Sequence, residues 1–132
     1  MTDCIFCQIA KRDIPAKVVW EDEDHLAFLD VKPISFGHIL LIPKKHVDYV
    51  FDLDEDEYRA LFWVAKKLAK PLKETTKAKK IGIMVEGFGV PHTHVHLIPI
   101  NRINDVDPNR AKKICEKELA KTAKILLEAL NR

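Results

Sequence analysis

The chain of 132 residues has no long apolar run and no extended tract of one charge. No segment approaches the ~18 consecutive apolar residues of a membrane span, and the first residues lack the basic and apolar regions of a secretion signal. The net charge is only +2, and no basic tract alternates with aromatic side chains as nucleic-acid grooves usually require. We therefore expect a cytoplasmic protein that binds neither membranes nor nucleic acid.

Cysteine is scarce, and the three cysteines cannot all pair within one chain. Cys4 and Cys7 form a C-x-x-C pair, which in a reducing compartment indicates metal binding or redox chemistry. A thioredoxin-like site would follow a strand inside a βαβ unit, whereas this pair begins almost at the first residue. Zinc would need two more ligands among the six histidines, and spacing alone leaves this open. We interpret Cys115 as a packed small residue of a helix.

Internal repeats and low-complexity linkers are absent, and the length suits one domain over residues 1–132. The spacing of apolar residues predicts a short helix at 4–11, three strands, a long helix, two strands and a second long helix. The strands are expected at 18–20, 25–29, 37–43, 81–85 and 92–98. This order indicates an α+β fold with a mostly antiparallel sheet of about five strands.

Prolines set two boundaries of the predicted helices. Pro71 should bend the first long helix or end its regular part. Asp107 followed by Pro108 is typical of a helix start, because an aspartate caps and proline suits the first helical position. The final helix is therefore predicted over 107–131.

Three histidines occupy alternate positions in the segment His92-Thr93-His94-Val95-His96. Alternate side chains of a strand share one face, so all three rings would line one surface. Such a row can bind a metal, move protons or attack phosphorus through a neutral nitrogen. Three interpretations stay open: hydrogen-bonded core histidines, a zinc hydrolase centre with three histidine ligands, and a nucleophilic histidine.

Further short segments follow one another in a characteristic order. They are Ile5-Phe6, Ile14-Pro15-Ala16-Lys17, Glu21-Asp22, Leu26-Ala27-Phe28, Asp30, Gly37-His38, Leu41-Ile42-Pro43-Lys44-Lys45-His46 and the three histidines. Together they resemble the histidine triad family of nucleotide-binding proteins, from about Cys4 to Pro99. The resemblance implies an α+β homodimer with a sheet continuous across the interface. It also implies an enzyme that hydrolyses or transfers nucleotidyl groups at the α-phosphate of purine nucleotide derivatives.

The resemblance further implies roles for single residues. His94 would be the nucleophile that forms a nucleotidyl-histidine, His96 would donate to phosphate oxygens, and His38 would support the nucleophile. Asp30 would bind the ribose hydroxyls. The apolar slot for the base would consist of Ile5, Phe6, Ile9 and Phe28, for which ordinary core packing is the alternative.

Some members of this family carry an N-terminal C-x-x-C whose zinc is completed by two histidines. Here the resemblance implies the ligand set Cys4, Cys7, His46 and His92. Such a closed site would be structural, and it would fix the segment that carries His94.

The segment before the triad departs from the family pattern. Many members have a Gly-Gln-Ser/Thr stretch that contacts phosphate, whereas this chain reads Glu86-Gly87-Phe88-Gly89-Val90-Pro91. Phe88 cannot replace the hydrogen bonds of a glutamine, but backbone N–H groups near Gly89 could serve, since glycine lets the chain approach a phosphate closely. A nucleotide-binding regulatory module with little turnover therefore stays open beside the hydrolase and the three-histidine metal enzyme.

Overall fold

The computed structural model describes residues 4–132. Its helices are α1 (Ile5–Ala10), α2 (Glu55–Thr76) and α3 (Glu116–Leu130), and its strands are β1 (Val18–Glu21), β2 (His25–Leu29), β3 (Ile39–Pro43), β4 (Lys80–Met84) and β5 (Val95–Ile100). The strands form one antiparallel sheet in the order β1-β2-β3-β5-β4. The predicted α+β fold is confirmed. None of the helices within residues 4–132 combines the length and apolar character needed to cross a membrane.

The sheet separates two apolar layers. Helices α2 and α3 cover one face, where Leu61 and Leu126 pack in the same cluster as the strand residues Leu41 and Leu97. Neighbouring strand residues point to opposite faces, so even-numbered residues of β2 and β3 lie on the other face, with α1. This smaller cluster contains Cys4, Phe6, Cys7, Ile9, Leu26, Phe28, Leu40 and Ile42. It adjoins the triad, since the Phe6 ring contacts the ring of His94.

Helix α2 continues through Pro71 to Thr76, so the prediction that it could end near the proline is wrong. A capping box starts the helix: the Asp54 carboxylate accepts from the Glu57 N–H at 2.8 Å, and the Glu57 carboxylate accepts from the Asp54 N–H at 3.1 Å. Buried side chains on both sides of the proline, including Leu72, hold the helix on the sheet. This packing outweighs the hydrogen bond that proline removes.

The last helix begins at Glu116, so the predicted start at 107 is wrong. The Asp107 carboxylate does accept from a backbone N–H two residues on, but it caps only the 3-10 turn Pro108–Arg110. Cys115, the residue before α3, is exposed rather than packed. An aspartate followed by proline marks where a turn begins but not how long the helix is. Here the turn stops after three residues, and the N–H of Lys112 donates to the carbonyl oxygen of Pro33 in another loop. We call residues 101–115 the crossing segment, because they connect β5 with α3.

Candidate active site

The triad begins just before strand β5, because β5 starts at Val95 and not at residue 92 as predicted. Leu41 faces Val95 in the β3–β5 register, so Pro43 comes opposite Thr93. Proline has no N–H to donate, and the sheet ladder stops there. Thr93 instead donates its N–H and its hydroxyl to the carbonyl oxygen of Val47, both at 2.7 Å.

The hydrogen bond of His94 determines which of its nitrogens is basic. His94 Nδ1 lies 2.7 Å from the carbonyl oxygen of His92. A carbonyl only accepts, so Nδ1 carries the proton and Nε2 keeps its lone pair. The ring also lines a cavity of about 350 Å³ whose walls include Val85 and Phe88. In the neutral ring the bare nitrogen is therefore Nε2, on a residue that lines this cavity.

A chain of hydrogen bonds orients His38 and His96. The N–H of Ile34 donates to His38 Nδ1 at 2.9 Å, and His38 Nε2 lies 2.9 Å from His96 Nδ1. Because a backbone N–H only donates, neutral His38 carries its proton on Nε2 and gives this hydrogen bond to His96. Neutral His96 then carries its own proton on Nε2. The sequence did not reveal the Ile34 contact, since a backbone donor leaves no residue-type signal.

The environment of these two rings keeps them neutral near pH 7. Burial, followed by the neighbouring His96 ring, lowers the pKa of His38 to about 3. Burial, followed by the neighbouring His94 ring, lowers the pKa of His96 to about 4. The pair therefore acts through hydrogen bonds rather than through a permanent charge.

Gly37 lets the loop before β3 place His38 at this position. Its φ is +89°, and a Cβ there would lie 2.6 Å from the Thr76 Cγ2 of helix α2. A side chain at residue 37 would therefore be strained and would push the loop away from the helix. The Gly-His pair of the sequence is thus a requirement of backbone geometry.

A cleft of about 630 Å³ opens beside the histidine pair, and its walls include Asp30, His38, Gly89 and His96. Asp30 Oδ2 lies 3.6 Å from His38 Nε2 and 3.9 Å from His96 Nδ1. Its Oδ1 accepts from the N–H of Lys32 at 2.9 Å. Burial raises the pKa of Asp30 above its usual value. The structure thus brings together four predicted site residues around one opening, which we call the cleft.

The four residues predicted to contact the base lie beside His94 and not in the walls of the cleft. Phe6 meets Phe28 edge to face with ring centroids 5.4 Å apart, and both are buried with Ile9 in the smaller cluster. Ile5 is the exposed member, at 46% of its surface. Val90 of the loop before the triad packs against the same cluster.

Four residues at the N-terminal side of the triad could hold a metal: Cys4, Cys7, His46 and His92, whose donor atoms all lie within 4.8 Å of one another. Cys7 Sγ is 3.2 Å from His46 Nδ1 and 3.5 Å from His92 Nδ1, and Cys4 Sγ is 3.4 Å from His92 Nδ1. Tetrahedral zinc bonds place sulfur and nitrogen ligands about 3.5 Å apart. His92 Nε2 donates to the carbonyl oxygen of Pro43 at 2.8 Å, which turns a bare Nδ1 toward the thiols.

The Cys7 thiol of this group is hard to ionise. Burial, together with the neighbouring Cys4, raises the pKa of the Cys7 thiol. A bound zinc ion would stabilise both thiolates, so the donor set fits zinc.

The three triad rings do not converge on one point, which contradicts the three-histidine metal interpretation. His92 faces the cysteines and His96 faces His38, and within residues 4–132 no potential ligand group includes His94. Asp30, His38 and His96 do form a second compact group. His38 Nε2 carries a proton there, however, and a metal ligand needs a bare nitrogen.

Comparison with known proteins settles the family. A family model described as the HIT domain matches residues 11–103. The chain belongs to the histidine triad (HIT) family. The adenosine 5'-monophosphoramidase hnt1 of Schizosaccharomyces pombe is 37% identical to this HIT protein over 98 residues, which cover 73% of this chain and 73% of that protein. Family membership with such relatives supports nucleotide hydrolysis at the family level.

Solved structures of HIT proteins share the fold along nearly the whole chain. The Hit-like protein of Bartonella henselae, described as involved in cell-cycle regulation, has a TM-score of 0.86 and 30% identity, covering 98% of this chain and 97% of its own. A Zn-bound histidine triad family protein from Mycobacterium smegmatis has a TM-score of 0.82 and 27% identity, covering 98% of this chain and 94% of its own. The zinc-bound neighbour and the Cys/His group together suggest zinc.

Proposed function

We propose that this HIT protein is a hydrolase or transferase of nucleotidyl groups, with His94 Nε2 as the nucleophile. The observation that carries the proposal is the 2.7 Å hydrogen bond from His94 Nδ1 to the His92 carbonyl, which makes Nε2 the bare nitrogen of the neutral ring. The phosphoramidase relative supports a substrate with a nitrogen leaving group on the α-phosphate of a purine nucleotide.

The reaction divides into two steps on this proposal. A bond forms between His94 Nε2 and the α-phosphorus, the bond to the leaving nitrogen breaks with its electron pair, and that nitrogen takes a proton from solvent, which the attacking water returns in the second step. His96 Nε2–H donates to a non-bridging phosphate oxygen as negative charge gathers there, and His38 holds His96 in the donating tautomer. Water then attacks phosphorus, which releases the nucleoside monophosphate and frees His94.

The rest of the substrate finds places in and beside the cleft. The Asp30 carboxylate accepts from the ribose hydroxyls in the cleft, and the purine packs beside it on exposed Ile5, above the buried side chains of Phe6, Ile9 and Phe28. Backbone N–H groups at Gly89 approach the phosphate in place of the missing glutamine. Support for this role is the openness around Gly89, where a Cβ would meet no atom closer than the Glu86 Oε1 at 4.0 Å.

Replacing the nucleophile tests the proposal. With adenosine 5'-phosphoramidate as substrate, His94→Ala should lower kcat by about 10³-fold or more. The matched control is His25→Gln, because His25 is also buried but lies outside the cleft and bonds to Asp22. Hydrolysis by His94→Ala at the rate of the unmodified protein would contradict the proposal.

A nucleotide-binding module with little turnover is the second candidate, favoured by one observation. Phe88, in the loop where relatives carry phosphate-binding side chains, is 93% exposed and offers no hydrogen bond to phosphate. Calorimetric binding of adenosine monophosphate without hydrolysis of any nucleotidyl amide, ester or anhydride would support this candidate over the enzyme.

We further infer that Cys4, Cys7, His46 and His92 bind a structural zinc ion. The support is the near-tetrahedral spacing of their donor atoms and the Zn-bound relative. When bound, zinc would hold α1 and the triad segment together. Thiols kept for a metal also suit a reducing compartment such as the cytoplasm.

A homodimer built through strand β4 completes the proposed assembly. β4 is an edge strand of the sheet, and its Ile83 exposes 52% of its surface. Pairing β4 with its copy would bury this side chain and satisfy free backbone groups. Light scattering should give twice the chain mass for the unmodified protein and the chain mass for Ile83→Lys.

A further inference from the structure

The crossing segment reaches the cleft, although most of it lies beyond residue 103, where the family match ends. Pro108 and Ala111 line the cleft together with Asp30 and His96. Sequence reasoning assigned these two residues to the first turns of a helix and gave them no functional role. The structure instead makes them part of the cavity in which the proposed chemistry takes place.

A glycine in strand β4 accommodates the crossing segment. Gly82 pairs with Ile98 and Met84 pairs with His96, so Gly82 lies on the same face of the sheet as His96. A Cβ at Gly82 would lie 2.8 Å from Val106 Cγ2. Glycine weakens a strand interior, and it commonly marks a site where another part of the chain approaches closely. The close approach of Val106 accounts for glycine at this position.

The crossing segment is also tied to the loop that orients His38. The N–H of Lys112 donates to the carbonyl oxygen of Pro33 at 3.2 Å. The next residue of that loop, Ile34, supplies the N–H that determines the tautomer of His38. The hydrogen bond from Lys112 and the hydrogen bond to His38 thus involve the two sides of one peptide group, the C=O of Pro33 and the N–H of Ile34.

An internal turn gives the crossing segment a defined shape. The Asp105 carboxylate accepts from the N–H groups of Asn101 and Arg102 at 2.8 and 3.0 Å. Arg110 donates to the carbonyl oxygen of Asp105 at 2.8 Å and pairs with its carboxylate at 3.0 Å. Residues 101–110 are therefore closed on themselves before the chain reaches Lys112.

We propose that the crossing segment is a positioning element of the active site: it holds the Pro33–Ile34 peptide against His38 and forms a wall at the Asp30 end of the cleft. Displacing it releases the Ile34 N–H from His38, and the His38–His96 pair loses its single tautomer. Displacing it also widens the cleft beside Asp30, where the ribose binds. The proposal rests on the proposed function for its catalytic consequence, but its structural consequence stands apart from turnover.

The sharpest test removes one backbone donor. Lys112→Pro deletes the N–H that bonds to Pro33, and the preceding Ala111, at φ −64° and ψ 129°, already has the conformation that a following proline requires. Lys112→Ala is the matched control, since it removes the side chain and keeps the N–H. We expect Lys112→Pro to lower kcat on adenosine 5'-phosphoramidate by about tenfold and to weaken adenosine monophosphate binding, with Lys112→Ala unchanged.

A second pair of variants tests the contact at β4. Gly82→Ala should push Val106 away and raise KM several-fold, whereas Gly82→Ala combined with Val106→Ala removes the clashing methyl and should restore KM. Melting temperatures separate this effect from general destabilisation. If residues 82 and 106 matter only for stability, the substitutions change the melting temperature and leave KM constant.

Nitrogen NMR of the His38 ring gives a readout that needs no turnover. In the unmodified protein, Nδ1 should be bare and Nε2 protonated; in Lys112→Pro, the two nitrogens should shift toward a tautomer mixture. An inactive unmodified protein with these NMR and binding changes would overturn the proposed function and retain the positioning role. An active protein in which Lys112→Pro matches Lys112→Ala in kinetics, binding and NMR would overturn the positioning role.

Discussion

The first two histidines of the triad, His92 at its metal end and His94 at its catalytic end, are the same residue type but have opposite surroundings. His92 is fully buried, and its bare Nδ1 faces two thiols because its Nε2 bonds to the Pro43 carbonyl. His94 bonds to a carbonyl through Nδ1 instead, so its bare nitrogen is Nε2. The comparison teaches that the choice of ring nitrogen, set by one backbone carbonyl in each case, separates the proposed metal ligand from the proposed nucleophile.

Removing the thiols should give the largest effect at the metal end. Cys4→Ser with Cys7→Ser should abolish zinc binding and lower the free energy of unfolding by several kcal/mol, since structural zinc contributes directly to folding. The control is Cys115→Ser, whose exposed thiol takes no part in the group. Zinc content and a denaturant titration measure both effects, and a double variant as stable as the control would contradict the metal site.

Breaking the hydrogen bonds that join Ile34, His38 and His96 should lower catalysis and leave the metal site unchanged. His38→Phe removes both ring nitrogens, so His96 loses the partner that determines its tautomer. We expect kcat to fall about 100-fold while zinc content stays constant. Loss of zinc together with kcat would show that the two ends are not separable.

Replacing the Asp30 carboxylate should lower activity less than replacing His38. Asp30→Asn keeps the shape but weakens acceptance from the ribose hydroxyls, so KM should rise about tenfold with a smaller change in kcat. Comparison with a deoxyribose substrate sharpens this test. If the deoxyribose substrate shows the same rise in KM on substitution, Asp30 does not bind the ribose.

The smallest effect concerns acid stability. The pKa of His38 is about 3 in the fold and about 6.5 in an unfolded chain, so below pH ~6.5 the unfolded state binds more protons. The contribution of neutral, buried His38 to the stability of the fold is complete above pH ~6.5 and is lost as the pH falls toward 3. His38→Asn should show a shallower decline in melting temperature between pH 7 and pH 5 than the unmodified protein. Parallel declines would mean that His38 is not buried as a neutral ring.

Local patterns predicted the fold well, because alternation and helical spacing depend on neighbouring residues. The strand at 25–29 was predicted at its observed bounds. The resemblance brought His38, His96, Asp30 and Gly89 together, and the structure places all four at one cleft.

The misses have a common physical cause, which is contact between distant parts of the chain. Asp107 and Pro108 begin a turn, which ends at Arg110. The N–H of Lys112 then donates to the carbonyl oxygen of Pro33 instead of continuing a helix, and this partner cannot be read from the sequence. The Ile34 N–H acts through the backbone and is invisible in the sequence. Gly82 had no predicted role, because its close approach to Val106 is visible only in three dimensions.

The most direct test of the account is the identity of the residue that carries the nucleotide during turnover. Quenching the reaction of the protein with adenosine 5'-phosphoramidate in alkaline denaturant, which preserves phosphohistidine bonds, followed by peptide mass spectrometry at alkaline pH, should locate an adenylyl group on His94. An adenylyl group on another residue would contradict the central claim that His94 Nε2 is the nucleophile. The same holds for full turnover by a protein whose His94 is bound to metal.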